Sequence, residues 1–295
     1  MASRRDIERR IRSTKNTRKI TRALELVAAA RLRRAEARIE AMRPYAERMR
    51  ELMAGTARAA ASFRGLPLLQ QREVQTVAVL PVTGDRGLAG AFNGQILRRA
   101  FAIQRDLQAE GKQIRWLVTG KKGRSTLRFR RYDIDRAWIG FTDRPSYHDA
   151  QAIAHRLEEL YAESEIDRAL VIYNRYHSPL TQTVEVQEVL PISEALLETK
   201  EDDHERALVG DFIYEPEPEQ ILERLLPVYL ETELYRALLE SAASEHGARM
   251  TAMRNASKNA GELIDRLTLE MNRARQAEIT QEILEVVAGA DALTA

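Results

Sequence analysis

Cysteine is absent from the 295 residues. Disulfides, thiolate metal sites and a cysteine nucleophile are thereby excluded, and the absence fits a reducing compartment. Aromatic residues are scarce at 6%, whereas charged residues reach 31%. That balance favours long helices over a single aromatic-rich core. Helix breakers are also scarce toward both ends. Between Met1 and Ala54 there is no glycine and only Pro44, and from Glu219 to Ala288 there are only Pro227, Gly247 and Gly261. No uninterrupted apolar run reaches the ~18 residues that a membrane-spanning helix needs. Asp6 and Glu8 lie where a signal peptide would be basic and then apolar, so none is expected.

What is present is charge of opposite sign at the two ends. Met1 to Arg50 holds 16 Lys/Arg against 6 Asp/Glu, a net of +10, and Lys200 to Ala295 holds 10 against 20, a net of −10. In the first stretch Ile7, Ile11, Thr14, Thr17, Ile20, Leu24, Val27, Ala28, Ala35, Ile39, Met42, Tyr45, Met49 and Leu52 recur at three- and four-residue steps. This is a helical stripe, and it predicts one helix to about residue 60. Met253, Ala256, Ala260, Leu263, Leu267, Met271 and Ala274 keep the same rhythm in the last stretch. Two amphipathic helices of complementary charge predict an antiparallel coiled coil between the ends of the chain. Pro44 is expected to bend the first helix and Pro227 to kink or bound the last.

The middle alternates strand and helix. "EVQTVAVLPV", "QIRWLVTG", "IDRALVIYNRY" and "TQTVEVQEVLPI" read as strands, with helices at "AFNGQILRRAFAIQRDLQAEG" and "SYHDAQAIAHRLEELYAES". The fold class is therefore α/β: a small Rossmann-like domain with a mostly parallel sheet, inserted between coiled-coil helices. The expected organisation is a helix over 1–62, an α/β domain over 74–190, an acidic connector over 191–218 and a helix over 219–288.

Candidate chemistry is thin. Gly84, Gly87 and Gly90 in "GDRGLAGAFNG" follow a strand, but their spacing is not that of a dinucleotide fingerprint. "TGKKGRS" lacks the upstream glycine of a phosphate loop and the hydroxyl residue directly after Gly-Lys. His148, His155, His177, His204 and His246 do not cluster at metal-ligand spacing. No catalytic residue, metal or cofactor is expected. The basic "SRRDIERRIRSTKNTRKITR" leaves a second reading open, a coiled-coil protein that binds nucleic acid through phosphate contacts.

"IERRIRSTKNTRKITRALELVAAARLRRAE", "GDRGLAGAFN", "ASEHGARMTAMRNASKNAGELIDRL" and "NRARQAEITQEILEVVAGA" together resemble the gamma subunit of F-type ATP synthases, from about Ile7 to Ala290. The resemblance implies a non-catalytic rotor shaft that couples turning of a c-ring to conformational cycling of catalytic beta subunits. Its implied partners are a ring of three alpha and three beta subunits, an epsilon subunit and the c-ring. The membrane is met only through that ring, and nucleic acid is not a partner. Arg275, Gln276, Thr280 and Glu282 match positions that the family assigns to the beta catch loop and to coupling. Leu24 stands where many relatives carry Met. Ile283, Val286 and Val287 belong to an apolar tip expected to turn inside a sleeve at the top of the subunit ring. Tyr214 and Glu215 resemble the foot that meets the c-ring and epsilon. Without cysteine the dithiol switch of chloroplast relatives is impossible. The expectation is a bacterial enzyme on the cytoplasmic face of the cell membrane.

Overall fold

The computed structural model describes residues 4–59, 66–193 and 217–294. Helix α1 runs Arg4–Ala59 and helix α5 runs Pro218–Thr294, 56 and 77 residues long. Both prolines lie inside these helices. Pro227 is thus neither a boundary nor a start. Each ring removes one backbone hydrogen bond, a loss the flanking turns and the packing of the helix absorb. Between them lie β1 (Thr76–Pro81), α2 (Phe92–Ala109), β2 (Gln113–Thr119), α3 (Lys121–Phe129), β3 (Arg136–Trp138), α4 (Tyr147–Ala162), β4 (Arg168–Tyr176) and β5 (Gln182–Leu190). The chain divides into two compact units, Met1–Ala29 with Arg249–Ala295, and Ala30–Ala248.

The larger unit holds a five-stranded sheet ordered β3-β2-β1-β4-β5. Four strands are parallel and β5 returns antiparallel along β4, with Ile172 opposite Val186. Alternation along β1 sorts the side chains. Val77 and Val79 join Leu170, Ile172, Trp116 and Val118 under α2, through Phe92, Ile96, Ala100 and Ile103. Ala78 and Leu80 face the other way with Val171 and Tyr173. There they meet Ile153, Leu157 and Tyr161 of α4, Leu222 to Leu238 of α5, and Met49, Met53 and Ala57 of α1. The central strands are buried on both sides, which is why they read as near-continuous apolar runs. α4 starts at a capping box in which Ser146 and Asp149 bond reciprocally.

α3 and β3 went unread in the sequence. α3 is nine residues long with only Gly123 and Leu127 buried, and β3 has three residues, so neither carries a full period of pattern.

In the smaller unit α1 and α5 run antiparallel. Arg4 pairs with Glu278 and Glu25 with Arg254, so the number falls on one helix as it rises on the other. Ile7 and Ile11 pack with Ile264, Leu267, Met271 and Ala274. The seam differs from the predicted stripe. Along α1 in this unit it passes through Ile7, Ile11, Thr21, Glu25 and Ala28, whereas Ile20 and Val27 are exposed. Along α5 Ile264 is buried and Leu263 is partly exposed. The buried positions keep a seven-residue repeat, the period of a left-handed coiled coil. Hydropathy misassigned the stripe because small and polar side chains fill the seam and larger apolar ones are left outside.

Two glycines make opposite predictions. At Gly120, with φ +85, a Cβ would sit 2.1 Å from the Thr83 carbonyl oxygen, whereas one at Gly55 in α1 meets nothing within 4 Å. Gly120→Ala is expected to lower stability by at least about 2 kcal/mol, and Gly55→Ala to raise it by about 0.5–1 kcal/mol. Thermal or urea unfolding of the two variants checks both signs.

Candidate functional site

The loop after β1 is where a doubly wound sheet would take a ligand, because strand order reverses between β1 and β4. Here several of the groups that would hold one are already used. The first three amides of α3 are partnered: Lys121 N–H donates to Asp85 Oδ1, Lys122 N–H to the Gly84 carbonyl and Gly123 N–H to Thr83 Oγ1. Asp85 also accepts from the Gly140 amide at 2.7 Å and from the Thr142 hydroxyl at 3.0 Å. Its carboxylate thus ties together the loops that follow β1, β2 and β3. Helix α5 fills the crevice beside them. The Ser244 hydroxyl donates to the Asn174 carbonyl at 2.9 Å. The Glu245 carboxylate packs against Gly84, where a Cβ would lie 2.7 Å from it. The glycine at 84 therefore admits the protein's own helix. Among the described residues no three His, Asp or Glu gather as metal ligands.

The residues suggested by the sequence lie elsewhere. Leu24 is half-buried on α1. Beside it Glu25 is buried in the seam and accepts from Arg22 at 2.8 Å and Arg254 at 3.1 Å. Burial alone would push the Glu25 carboxyl up, but the hydrogen bonds from Arg254 and Arg22 outweigh it and hold the group below the usual glutamate range. Sequence reading missed this cluster, although a signal existed: Glu25 falls on the seven-residue repeat with Thr21, Ala28 and Leu32. Around it Ile20, Leu26 and Val27 point into solvent, each about half exposed or more.

Arg275, Gln276, Thr280 and Glu282 are all exposed on α5, and the Thr280 hydroxyl donates to the Gln276 carbonyl at 2.8 Å. Ile283, Val286 and Val287 follow at 57%, 72% and 52% exposure, with Ile279 and Leu284 similarly bare. Residues 279 to 289 are all exposed, and Arg4 with Glu278 is the ion pair between the two helices nearest to them among the described residues. These residues lie on the last turns of one helix, but Leu24 is not among them. Tyr214 and Glu215 lie outside the described residues.

A coiled coil interrupted by an α/β body, with its ligand crevice closed by its own helix and apolar side chains left bare near the end, defines a class of protein built for mechanical contact. The ATP synthase family model matches residues 3–293. An ATP synthase gamma chain from Rubrobacter xylanophilus is 48% identical over the full length of both chains. Another from Moorella thermoacetica is 45% identical over 99% of this chain and all of its own. The chain belongs to the ATP synthase gamma chain family. Among solved structures, a chain of the Tetrahymena thermophila mitochondrial central stalk and c-ring is 26% identical, with a TM-score of 0.59 over 81% of this chain and 99% of its own. A chain of the Euglena gracilis mitochondrial assembly shares the fold, with a TM-score of 0.69 over 98% of this chain and 94% of its own at 19% identity.

Because the Glu25 carboxyl is held low in the folded chain, its contribution is complete at neutral pH and is lost as pH falls through the ordinary glutamate range. Glu25→Gln is expected to cost about 1 kcal/mol at pH 7, a modest figure because the Arg22 and Arg254 side chains are 62% and 59% exposed. Between about pH 5 and pH 3 its melting temperature should fall less steeply than that of the unmodified chain. Parallel acid-side curves would remove Glu25 from the acid response.

Proposed function

We propose that the chain is the rotor shaft of a proton-translocating F-type ATP synthase. It turns with a c-ring and presents successive faces to the catalytic beta subunits of a ring of three alpha and three beta subunits. The chain itself carries out no chemistry. A turning shaft shifts each beta subunit only by contacting its conformations unequally, so the working parts are faces, not reactive groups.

One observation carries this reading: beyond Glu278, its last residue ion-paired to α1 among the described residues, α5 continues as a helix whose described side chains are all exposed and largely apolar. An isolated helix of that kind is marginal in water and gains stability by burying its apolar side chains, each contributing about 1.5–3 kcal/mol when covered. Apolar contact is non-directional and has no specific bond to break as the shaft turns. Ile283, Val286 and Val287 therefore suit the inside of a sleeve. Arg275, Gln276, Thr280 and Glu282, which precede them on the same helix, suit contacts with a beta loop that form and release at each step. Leu24, among the exposed Ile20, Leu26 and Val27, suits a second beta contact. The foot at Tyr214 and Glu215, beside the c-ring and the epsilon subunit, is part of the same proposal. So is the place of work, peripheral on the cytoplasmic face of the bacterial membrane. Among the described residues no helix is long and apolar enough to cross a membrane. The nucleic-acid reading has no support from the two full-length relatives above, both gamma chains.

The test replaces Ile283, Val286 and Val287 together by Ser and assembles the chain with its alpha and beta subunits. Stability of the chain alone should stay within about 0.5 kcal/mol, because these side chains already face water. Affinity for the alpha–beta ring should fall at least about tenfold. Unaltered affinity together with unaltered rotation would remove the sleeve.

A further inference from the structure

In the larger unit the two long helices are held to the sheet in different ways. Helix α5 is buried along most of Tyr229 to His246, and its leucines form part of the core. Helix α1 enters the same core through Met49, Met53 and Ala57 and sits shallower before them. Between residues 31 and 45 only Leu32 and Ala35 are buried. What holds this stretch of α1 to the α/β body is polar. The Arg31 guanidinium donates to both carboxylate oxygens of Asp143, in the loop between β3 and α4, at 2.6 Å to Oδ1. Five residues on, Glu36 accepts from the Tyr176 hydroxyl at the end of β4. Asp143 also meets α5: His246 Nε2 lies 3.3 Å from its backbone carbonyl and 3.8 Å from Oδ1. One residue of the body therefore touches both helices.

We infer that Asp143 is a positioning residue for torque, the staple that carries turning of the α/β body to α1 near Arg31, beyond the grip of Met49, Met53 and Ala57, while α5 is driven by its buried side. The inference rests on the rotor reading above. Two helices turned together need contacts that resist sliding. A buried apolar face supplies them for α5 through interdigitated packing. Over residues 31 to 45 of α1 only Leu32 and Ala35 are buried, and directional, charge-assisted bonds add their hold there. With the staple removed, α1 lags behind α5 and part of each step is lost as twist. Such a partly exposed pair contributes little to equilibrium stability. Its effect therefore belongs in coupling, not in folding.

The experiment uses the assembled complex in sealed vesicles and reads protons pumped per ATP hydrolysed, beside assembly, hydrolysis rate and the melting temperature of the chain. Asp143→Ala is expected to leave assembly, hydrolysis and melting nearly unchanged and to lower pumping per ATP about fivefold. Arg31→Gln reads the same contact from α1 and should behave alike if Asp143→Ala does not assemble. The exchanged pair Arg31→Asp with Asp143→Arg should bring pumping back to within about twofold of the unmodified complex, which a merely structural loss would not do. Unmodified pumping per ATP in Asp143→Ala or in Arg31→Gln overturns the staple. A separate arm omits the chain altogether. Equal pumping there overturns the rotor reading itself, so the two failures are distinguishable.

Discussion

The protein depends on how one helix spends its surface. Along α5 the surroundings change by residue number, from the sheet at Leu222 to His246, to α1 from about Met250 to Glu278, to solvent from Ile279 onward. A helix this long cannot be stable on propensity alone. Its first part is fixed by core burial, the next by a seven-residue seam, and the last inherits helicity from what precedes it. The order also divides the labour. The rigid part joins the body, and the bare part remains free for other surfaces.

The same constraint explains the α/β body. A doubly wound sheet leaves a crevice at the ends of its parallel strands, the usual ligand site of such folds. Here Asp85 collects the backbone and hydroxyl donors of the surrounding loops, and the amides at the start of α3 bond within the chain. Ser244 and Glu245 of α5 occupy what is left. A fold associated with nucleotide chemistry is thereby converted into a socket for a helix. The polar groups that would bind phosphate serve instead to satisfy a buried junction.

Much of this was legible in the sequence. The strand–helix alternation, the mostly parallel sheet and the two long helices follow from periodicity and from where proline and glycine are missing. The weak glycine spacing at Gly84 to Gly90 argued against a nucleotide loop, and in the structure Glu245 of α5 packs against Gly84. What was not legible has physical causes. α3 and β3 are too short to show a period. The seam was misplaced because hydropathy ranks Ile20 and Val27 above Thr21 and Glu25, while in the structure the polar pair lies inside. Glu25 shows why: two arginines satisfy its charge, so a carboxylate is tolerated where an apolar residue was expected. Contacts such as Arg31 with Asp143 join residues far apart in sequence, and no local pattern announces them.

The misreading of the seam is itself informative. Apolar side chains not needed to pair α1 with α5 are kept on the outside: Ile20, Leu26 and Val27 on one helix, and Ile279, Ile283, Leu284, Val286 and Val287 on the other. A chain selected only for its own stability would lose such residues, since exposed apolar clusters promote aggregation. Their retention in stretches otherwise dense in charge fits surfaces that are covered when the chain is at work. For a shaft this arrangement has a mechanical consequence. On the rotor proposal, buried packing joined by hydrogen bonds and ion pairs holds the α/β body to its helices, where parts must not slip. The proposed bearing is apolar too, but exposed and non-directional. Burial, more than bond type, thus separates the proposed grip from the proposed bearing.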